Sequence, residues 1–175
     1  DRKSRLVILG RFLQSIPPVF FTWIEVLCNK RNIKRYPFII LVSAPRSGST
    51  LTYQILSRGI SSMYLTNLWN LLYSVPIIGG KMSKNKRSNL KNFISNKGLV
   101  QGVYGESEGL RFWEYWTGQG LEEKNHKLPI RRVKYLRKVF GGLLRKDVPM
   151  ITAYLGHAFS INNLRKIFPG SIFIY

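Results

Sequence analysis

The strongest structural signal in this chain is PFIILVSAPRSGSTL, residues 37–51. Its first part, 37–44, is a short apolar run rich in branched side chains, which is typical of a strand buried on both faces of a sheet. Residues 45–48 follow as a loop, and 49–58 have a helical pattern that ends near Gly59. A loop between a strand and a helix presents backbone N–H groups to an anion, and the helix dipole adds attraction.

Hydrophobic periodicity predicts further elements along the chain. On the helix over 49–58 we expect Leu51, Ile55 and Leu56 to face inward, whereas Gly79 and Gly80 would open a polar stretch. Helices are predicted over 67–73, 111–116, 130–146 and 157–168, and strands over 149–155 and 171–175. The apolar stripe of the helix over 130–146 begins at Ile130, and that of the helix over 157–168 begins at Ala158. This order favours an α/β fold, a parallel sheet flanked by helices, over residues 37–175. Because the chain stops on an apolar strand, we expect the domain to be incomplete at its C-terminus.

Charge and cysteine content limit the classes of partner and compartment. The chain has 28 basic and 8 acidic residues, a formal net charge of +20, which suits nucleic acid, anionic lipid, a phosphorylated nucleotide or an acidic glycan. Cys28 is the single cysteine, so a reducing, cytoplasmic compartment is expected. His126 and His157 are isolated, and no metal-ligand spacing is present, so no metal is expected.

Residues 1–36 differ from the rest of the chain and are predicted to form a helical, basic segment. The uncharged run from Phe12 to Ile24 is shorter than the roughly 17–25 residues that a spanning helix needs. Pro17 and Pro18 divide it into two short helices, which we expect to pack against the core. The alternative is an interfacial segment on an anionic membrane surface, since Trp23 precedes a basic run.

The loop differs from the phosphate loop of nucleoside triphosphatases, G-x-x-x-x-G-K-[ST]. If Gly48 is aligned with the second glycine, Ser43 stands at the first glycine and Ser49 at the lysine. The cation lies three residues earlier, at Arg46. A triphosphatase needs that lysine and an acidic residue that holds Mg²⁺, so triphosphate hydrolysis is disfavoured.

This loop resembles the phosphosulfate-binding loop of sulfotransferases that use 3′-phosphoadenosine 5′-phosphosulfate (PAPS). The matching residues are Pro45, Arg46, Ser47, Gly48, Ser49, Thr50 and Leu51. Residues 163–174 are similar to the helix, Phe-Pro turn and strand that precede the family's 3′-phosphate site. Residues 106–113 resemble an acceptor-side segment of bacterial and carbohydrate-type members. Together these segments span about residues 37–175.

The resemblance implies a sulfotransferase fold, related to P-loop folds, and transfer of a sulfuryl group from PAPS to a hydroxyl or amine. The expected acceptor is a carbohydrate or glycolipid, and no metal is required. Arg46 would bind the phosphosulfate and stabilise the charge that develops on the leaving phosphate oxygen. The family's 3′-phosphate residues would lie beyond Tyr175, so we expect this chain alone to be inactive or weakly active.

A general base should accept the proton of the acceptor. We prefer Glu108, within the Ser-Glu-Gly segment, to Glu106, and we rank His157 below Glu108. A competing interpretation makes Ser107 the N-cap of the next helix, with Glu108 in its first turn, where a carboxylate simply favours the helix dipole. The aromatic residues that follow, such as Trp113, are expected in the core.

Two other functions stay open at this point. One is a P-loop kinase or nucleoside triphosphatase with a degenerate loop, which would bind ATP with magnesium. The other is a basic, non-enzymatic nucleic-acid-binding module, whose binding would fall steeply with salt. Zinc-finger and RNP motifs are missing from the sequence, so nucleic acid is not the expected partner.

Overall fold

The computed structural model describes a subset of the chain: Glu25 and residues 37–84, 86, 93, 95–96, 99–118, 128–144 and 148–175. The two short helices and the interfacial segment predicted within residues 1–36 lie outside these residues, Glu25 excepted. None of the helices in the described ranges is both long and apolar enough to cross a membrane.

A parallel sheet forms the centre of the described part of the chain. The strands are β1 (Phe38–Leu41), β2 (Met63–Tyr64), β3 (Ser95–Asn96), β4 (Leu99–Val100), β5 (Met150–Ala153) and β6 (Ile172–Ile174). Four of them form one sheet in the order β2-β5-β1-β6, with every neighbouring pair parallel. β3 and β4 form a separate antiparallel pair. The predicted parallel α/β architecture is confirmed.

Helices flank this sheet and connect its strands. They are α1 (Ser49–Gly59), α2 (Asn67–Leu71), α3 (Pro76–Ser83), α4 (Leu110–Thr117), α5 (Ile130–Leu143) and α6 (His157–Ile167). The helices predicted at the positions of α1, α2, α4, α5 and α6 are confirmed, with ends that differ by a few residues. α5 ends at Leu143, three residues before the predicted end.

The sequence did not predict helix α3, which contains both Gly79 and Gly80. A Cβ atom at Gly80 would lie 2.4 Å from Leu143 Cδ1, and one at Gly79 would lie 3.0 Å from Trp69 Cδ1. The two glycines therefore allow α3 to approach α2 and α5 closely. Glu25 stabilises the start of α3, because its carboxylate accepts hydrogen bonds from the backbone N–H groups of Ile77 and Ile78.

Apolar side chains cover both faces of the sheet at β1, whereas Ile172 and Ile174 on the edge strand β6 are exposed. On one face Phe38 stacks on Phe168 with ring centroids 3.8 Å apart and meets Phe140 edge-on at 5.1 Å. The α4 aromatics join this cluster, and Trp113 is fully buried, as predicted. On the other face Leu41, with its neighbours from α1 and β5, forms a second cluster. β1 is thus buried on both faces, as its apolar run predicted.

The inner face predicted for α1 is wrong for two of its three residues, whereas Leu56 is half-buried and packs against the second cluster. Leu51 and Ile55 are 48% and 49% exposed, whereas Tyr53, Gln54 and Ser57 are buried. The apolar spacing correctly predicted a helix, but it did not predict which side of that helix is buried. The sequence contains the spacing of apolar residues, but the exit angle from the preceding loop and the contacts of Tyr53 determine which side of the helix faces the sheet.

The apolar stripes predicted for α5 and α6 also differ from the structure, in each case at the first residue. Ile130, at the first turn of α5, is 69% exposed, while the rest of its stripe is buried. In α6, Ala158 is exposed and His157 takes the inner position. Ser160 has non-helical angles, φ −118° and ψ 15°, and its hydroxyl donates to the Gly156 carbonyl. This kink rotates the first turn of α6 relative to the remainder.

Candidate functional site

The loop after β1 is held in a shape that faces open space. Gly48 has φ +81° and Arg46 has φ +65°, both in the left-handed region. Ser47 Oγ donates a 2.8 Å hydrogen bond to the Ala44 carbonyl and closes the turn. A Cβ at Gly48 would meet no atom within 4 Å, and no side chain caps the start of α1. The N-terminal turn of α1 is therefore open to an anion.

A cavity of about 710 Å³ lies against this loop, at the carboxyl ends of β1 and β5. Its walls come from the loop and first turn of α1, from α2, from the segment 106–111 and from the residue that follows β5 by two positions. The lining residues are Pro45, Arg46, Gly48, Ser49, Thr50, Asn67, Asn70, Glu106, Ser107, Glu108, Gly109, Leu110, Arg111 and Leu155. Open parallel sheets bind ligands at this edge.

A smaller cavity of about 240 Å³ separates the same loop from the end of β6. Ser43, Ser47 and Thr52 contribute hydroxyl groups to its wall, and Ile174 and Tyr175 close the β6 side. The loop thus has open space towards both the segment 106–111 and the end of the last strand of the sheet.

Three side-chain contacts join α1 to the segment 106–108, which runs antiparallel to the helix. The pairs are Thr50 Oγ1 to Glu108 Oε1 at 3.1 Å, Tyr53 Oη to the Ser107 carbonyl at 3.2 Å, and Arg58 Nε to Glu106 Oε1 at 2.6 Å. These contacts therefore hold the start of α1 and the acidic segment next to each other.

The two acidic residues of this segment have different surroundings. Glu106 is 2% exposed, and both of its carboxylate oxygens accept hydrogen bonds from Arg58, at 2.6 Å and 3.0 Å. Glu108 is half-buried and accepts a hydrogen bond from Thr50. Burial raises the pKa of Glu108, and the Thr50 hydrogen bond partly opposes that effect. The two bonds from Arg58 hold Glu106 in place, whereas Glu108 can exchange the Thr50 hydroxyl for another partner.

The prediction that Ser107 caps the following helix is wrong. α4 begins at Leu110, and its N-cap is Gly109, with φ +70°. A Cβ at Gly109 would lie 2.4 Å from Leu65 Cδ1, so close packing and backbone angle both require glycine there. Ser107 Oγ instead accepts from the Gly109 N–H. Glu108 therefore lies directly before the N-cap of α4 and not in the first turn of that helix.

His157 lies away from the cavity lining. It is fully buried, its Nε2 is 3.2 Å from Thr152 Oγ1, and its ring meets Trp113 edge-on at 4.9 Å. Trp113 Nε1 donates to the same threonine hydroxyl. Burial lowers the pKa of His157 to about 3, so the ring is neutral near pH 7. These contacts give His157 a structural role in the described part of the chain.

The sequence did not single out the polar residues on the cavity's far wall. Asn67 Nδ2 donates to the carbonyls of Val100 and Gly102, both at 2.8 Å, and Asn70 Oδ1 accepts from the Phe112 N–H. Within the described residues these bonds leave the Asn67 oxygen and the Asn70 nitrogen as a complementary acceptor and donor. The signal was the N-x-x-N spacing in NLWNL, which places both amides on one helix face.

No group of three His, Cys, Asp or Glu side chains among the described residues could hold a metal ion. Comparisons with protein-family models, with curated proteins and with solved structures found no match to this chain. The geometry establishes an α/β fold with a four-stranded parallel sheet. The chemistry of the site is therefore inferred from its own residues.

Proposed function

We propose that this protein is a sulfotransferase that moves a sulfuryl group from PAPS to a hydroxyl or amine of a carbohydrate or related acceptor. One observation carries the proposal. The sequence Pro45 to Leu51, which resembles a phosphosulfate-binding loop, shares a cavity with the half-buried carboxylate of Glu108. An anion-binding loop and a proton acceptor are the two groups that sulfuryl transfer needs.

The loop side of the cavity would bind the donor. The open first turn of α1 offers N–H groups and the positive end of a helix dipole to the 5′-phosphosulfate. Ser49 and Thr50 add hydroxyl groups to this wall, and Arg46 adds an exposed guanidinium. Because negative charge grows on the leaving phosphate oxygen, a cation held there lowers the barrier.

The transfer step follows from this arrangement. A lone pair of the acceptor oxygen or nitrogen attacks sulfur, and the bond between sulfur and the bridging phosphate oxygen breaks. The bonding pair remains on that oxygen, which leaves as part of 3′-phosphoadenosine 5′-phosphate (PAP). Glu108 takes the acceptor's proton, and its raised pKa makes its carboxylate a stronger base than an exposed glutamate.

The far wall suits an acceptor that carries several hydroxyl groups. Asn67 and Asn70 offer an amide oxygen and an amide nitrogen, which can accept from one hydroxyl and donate to another. Arg111 is exposed at the same wall and adds a cation for an acidic substituent. This set supports a carbohydrate acceptor, with or without acidic groups.

Calorimetric titration with PAP tests the donor assignment. We expect the protein to bind PAP without magnesium, and Arg46→Ala to weaken binding about tenfold or more, as loss of a charge-assisted contact would. Arg131→Ala is the matched control, since Arg131 is also exposed but lies on α5, outside the cavity lining. Affinity for magnesium-ATP with none for PAP would overturn the proposal in favour of a kinase or nucleoside triphosphatase.

A further inference from the structure

Thr50 belongs to both halves of the site. It lies in the first turn of α1, within the loop motif, and its hydroxyl donates to Glu108 Oε1 at 3.1 Å. Both side chains line the 710 Å³ cavity. A threonine hydroxyl carries one proton and can donate it to one acceptor at a time. Glu108 and an anion bound at the turn would compete for that proton.

We propose that the Thr50 hydroxyl couples the two halves of the site, by turning from Glu108 to the donor's anion when that anion binds. This inference rests on the proposed function and deepens it. With the loop empty, the Glu108 carboxylate is engaged by Thr50. With the loop occupied, the carboxylate is released towards the acceptor, so the base becomes fully available when the donor is in place.

The energetics favour the exchange. An anion at the first turn of α1 attracts the hydroxyl proton, and hydrogen bonds to charged oxygens are the strong ones. Glu108 then loses a bond that stabilised its ionised form and gains a negative neighbour. Both changes increase its affinity for a proton. By reciprocity, protonation of Glu108 strengthens anion binding to the same extent.

The neighbouring contacts keep Glu108 in position during this exchange. The hydrogen bond from Tyr53 to the Ser107 carbonyl and the two bonds from Arg58 to Glu106 fix the residues on its N-terminal side. The coupling therefore needs rotation of one hydroxyl and no shift of the backbone.

Other charged and titratable groups lie around Glu108. Arg46 and Arg111 line the same cavity as cations. Glu106 is paired with Arg58. Tyr53 is fully buried, and burial raises the pKa of its hydroxyl well above 10, so it stays neutral. Glu108 is thus the group whose protonation an anion would change.

Carbon-13 NMR of the glutamate carboxyl groups tests the coupling directly. The Glu108 signal is identified by its loss in Glu108→Gln, and its titration is followed with and without each of two probes, sodium sulfate and PAP. Sulfate keeps its charge throughout the pH range in which Glu108 titrates. We expect anion binding to raise the titration midpoint of Glu108 by about 1 pH unit. Thr50→Ser should retain this rise. Thr50→Val should show a smaller rise, because it keeps the effect of the anion's charge and loses the effect of the exchanged hydrogen bond.

The outcomes separate the coupling from the proposed function. If PAP binds and the midpoint rises equally in wild type and Thr50→Val, or in neither, the coupling is wrong and the function stands. If sulfate gives the Thr50-dependent rise and PAP does not bind, the coupling stands and the function is wrong. If neither anion binds the wild-type protein, both are overturned.

Discussion

Gly48 shows how a single residue prepares the loop for an anion. Its φ of +81° lies in a region that costs a side-chain-bearing residue about 1 kcal/mol, and the space beside it is empty. We expect Gly48→Ala to reduce the free energy of unfolding by about 1 kcal/mol through backbone strain alone. It should also weaken PAP binding, because the new methyl group would stand in the open space beside the loop.

Urea denaturation and PAP titration measure these two effects. Gly59→Ala is the control, because Gly59 ends the same helix without a positive φ and also has open space around it. That substitution should be neutral or slightly stabilising. Equal losses of stability in both variants would show that backbone conformation at Gly48 is not the cause.

Because His157 is buried, we expect the free energy of unfolding to depend on pH. Its pKa is about 3 in the folded protein, because burial disfavours the charged ring, and about 6.5 in an unfolded chain. Between these values the unfolded state binds the extra proton, so acid destabilises the fold as pH falls from about 6.5 towards 3. The slope approaches about 1.4 kcal/mol per pH unit in this window.

His157→Gln isolates this contribution, since its amide can still bond to Thr152. Burial raises the pKa values of Glu25 and Glu108, so these carboxyls take up protons in the native state and act in the opposite direction in both proteins. The difference between wild-type and variant stability, from urea denaturation at pH 4, 5, 6 and 7, should therefore grow with pH. A difference that is constant over this range would contradict the buried, neutral state of His157.

At the scale of elements, α3 depends on the absence of side chains at its glycines. A methyl group at Gly80 would lie 2.4 Å from Leu143 Cδ1 and 2.9 Å from Trp69 Cζ2. We expect Gly80→Ala to cost about 1–3 kcal/mol, as overpacking of a core does, despite the better helix propensity of alanine. Leu143→Val in the same protein should recover part of that loss, and chemical denaturation of both single variants and the double variant measures this coupling. Strictly additive effects would argue against the contact.

Local pattern predicted most of these elements but not how they meet. β1, α5 and β5 follow from apolar period and length, since each buries its own regular stripe. α3 was missed because its glycines act through tertiary contacts with Trp69 of α2 and Leu143 of α5, which the local pattern does not contain. The phase of α1 was missed for the same reason: Leu51 and Ile55 carry the apolar period, while Tyr53 makes the tertiary contacts.

The candidate site divides in the same way. The loop Pro45 to Leu51 could be identified from sequence because the residues of a turn are contiguous. The preference for Glu108 rested on a resemblance, and its contact with Thr50 spans 58 positions of the chain. Asn67 and Asn70 carried only a spacing signal, since nothing local indicates that α2 would border the loop.

At the scale of the whole molecule, the acidic side chains of the described residues are buried or half-buried, whereas the exposed charged side chains are basic. Glu25 and Glu106 are buried, and Glu108 and Glu114 are half-buried. The exposed charged side chains of the described part are all cations: Arg46, Lys81, Lys86, Arg111, Arg131, Lys134, Arg165 and Lys166. Together with the net charge of +20, this surface creates a positive potential that extends beyond the cavity. An anionic ligand would be attracted before it reaches the loop.

This potential predicts the kinetics of PAP binding. The Debye length falls from about 30 Å at 0.01 M salt to about 8 Å at 0.15 M, so the attraction of the remote cations is screened over that interval. We expect the association rate constant to fall about tenfold, with little change in the dissociation rate constant. Stopped-flow fluorescence of the tryptophans measures both constants.

Charge reversal away from the cavity distinguishes this long-range effect from direct contact. Arg131→Glu with Lys134→Glu, both on the exposed side of α5, should slow PAP association at low salt and leave dissociation unchanged. Arg46→Ala should mainly accelerate dissociation, because Arg46 would contact the bound anion. Adenosine, which lacks charge, should show no salt dependence. Association that ignores both salt and the double reversal would mean that the potential of the basic surface plays no part in ligand capture.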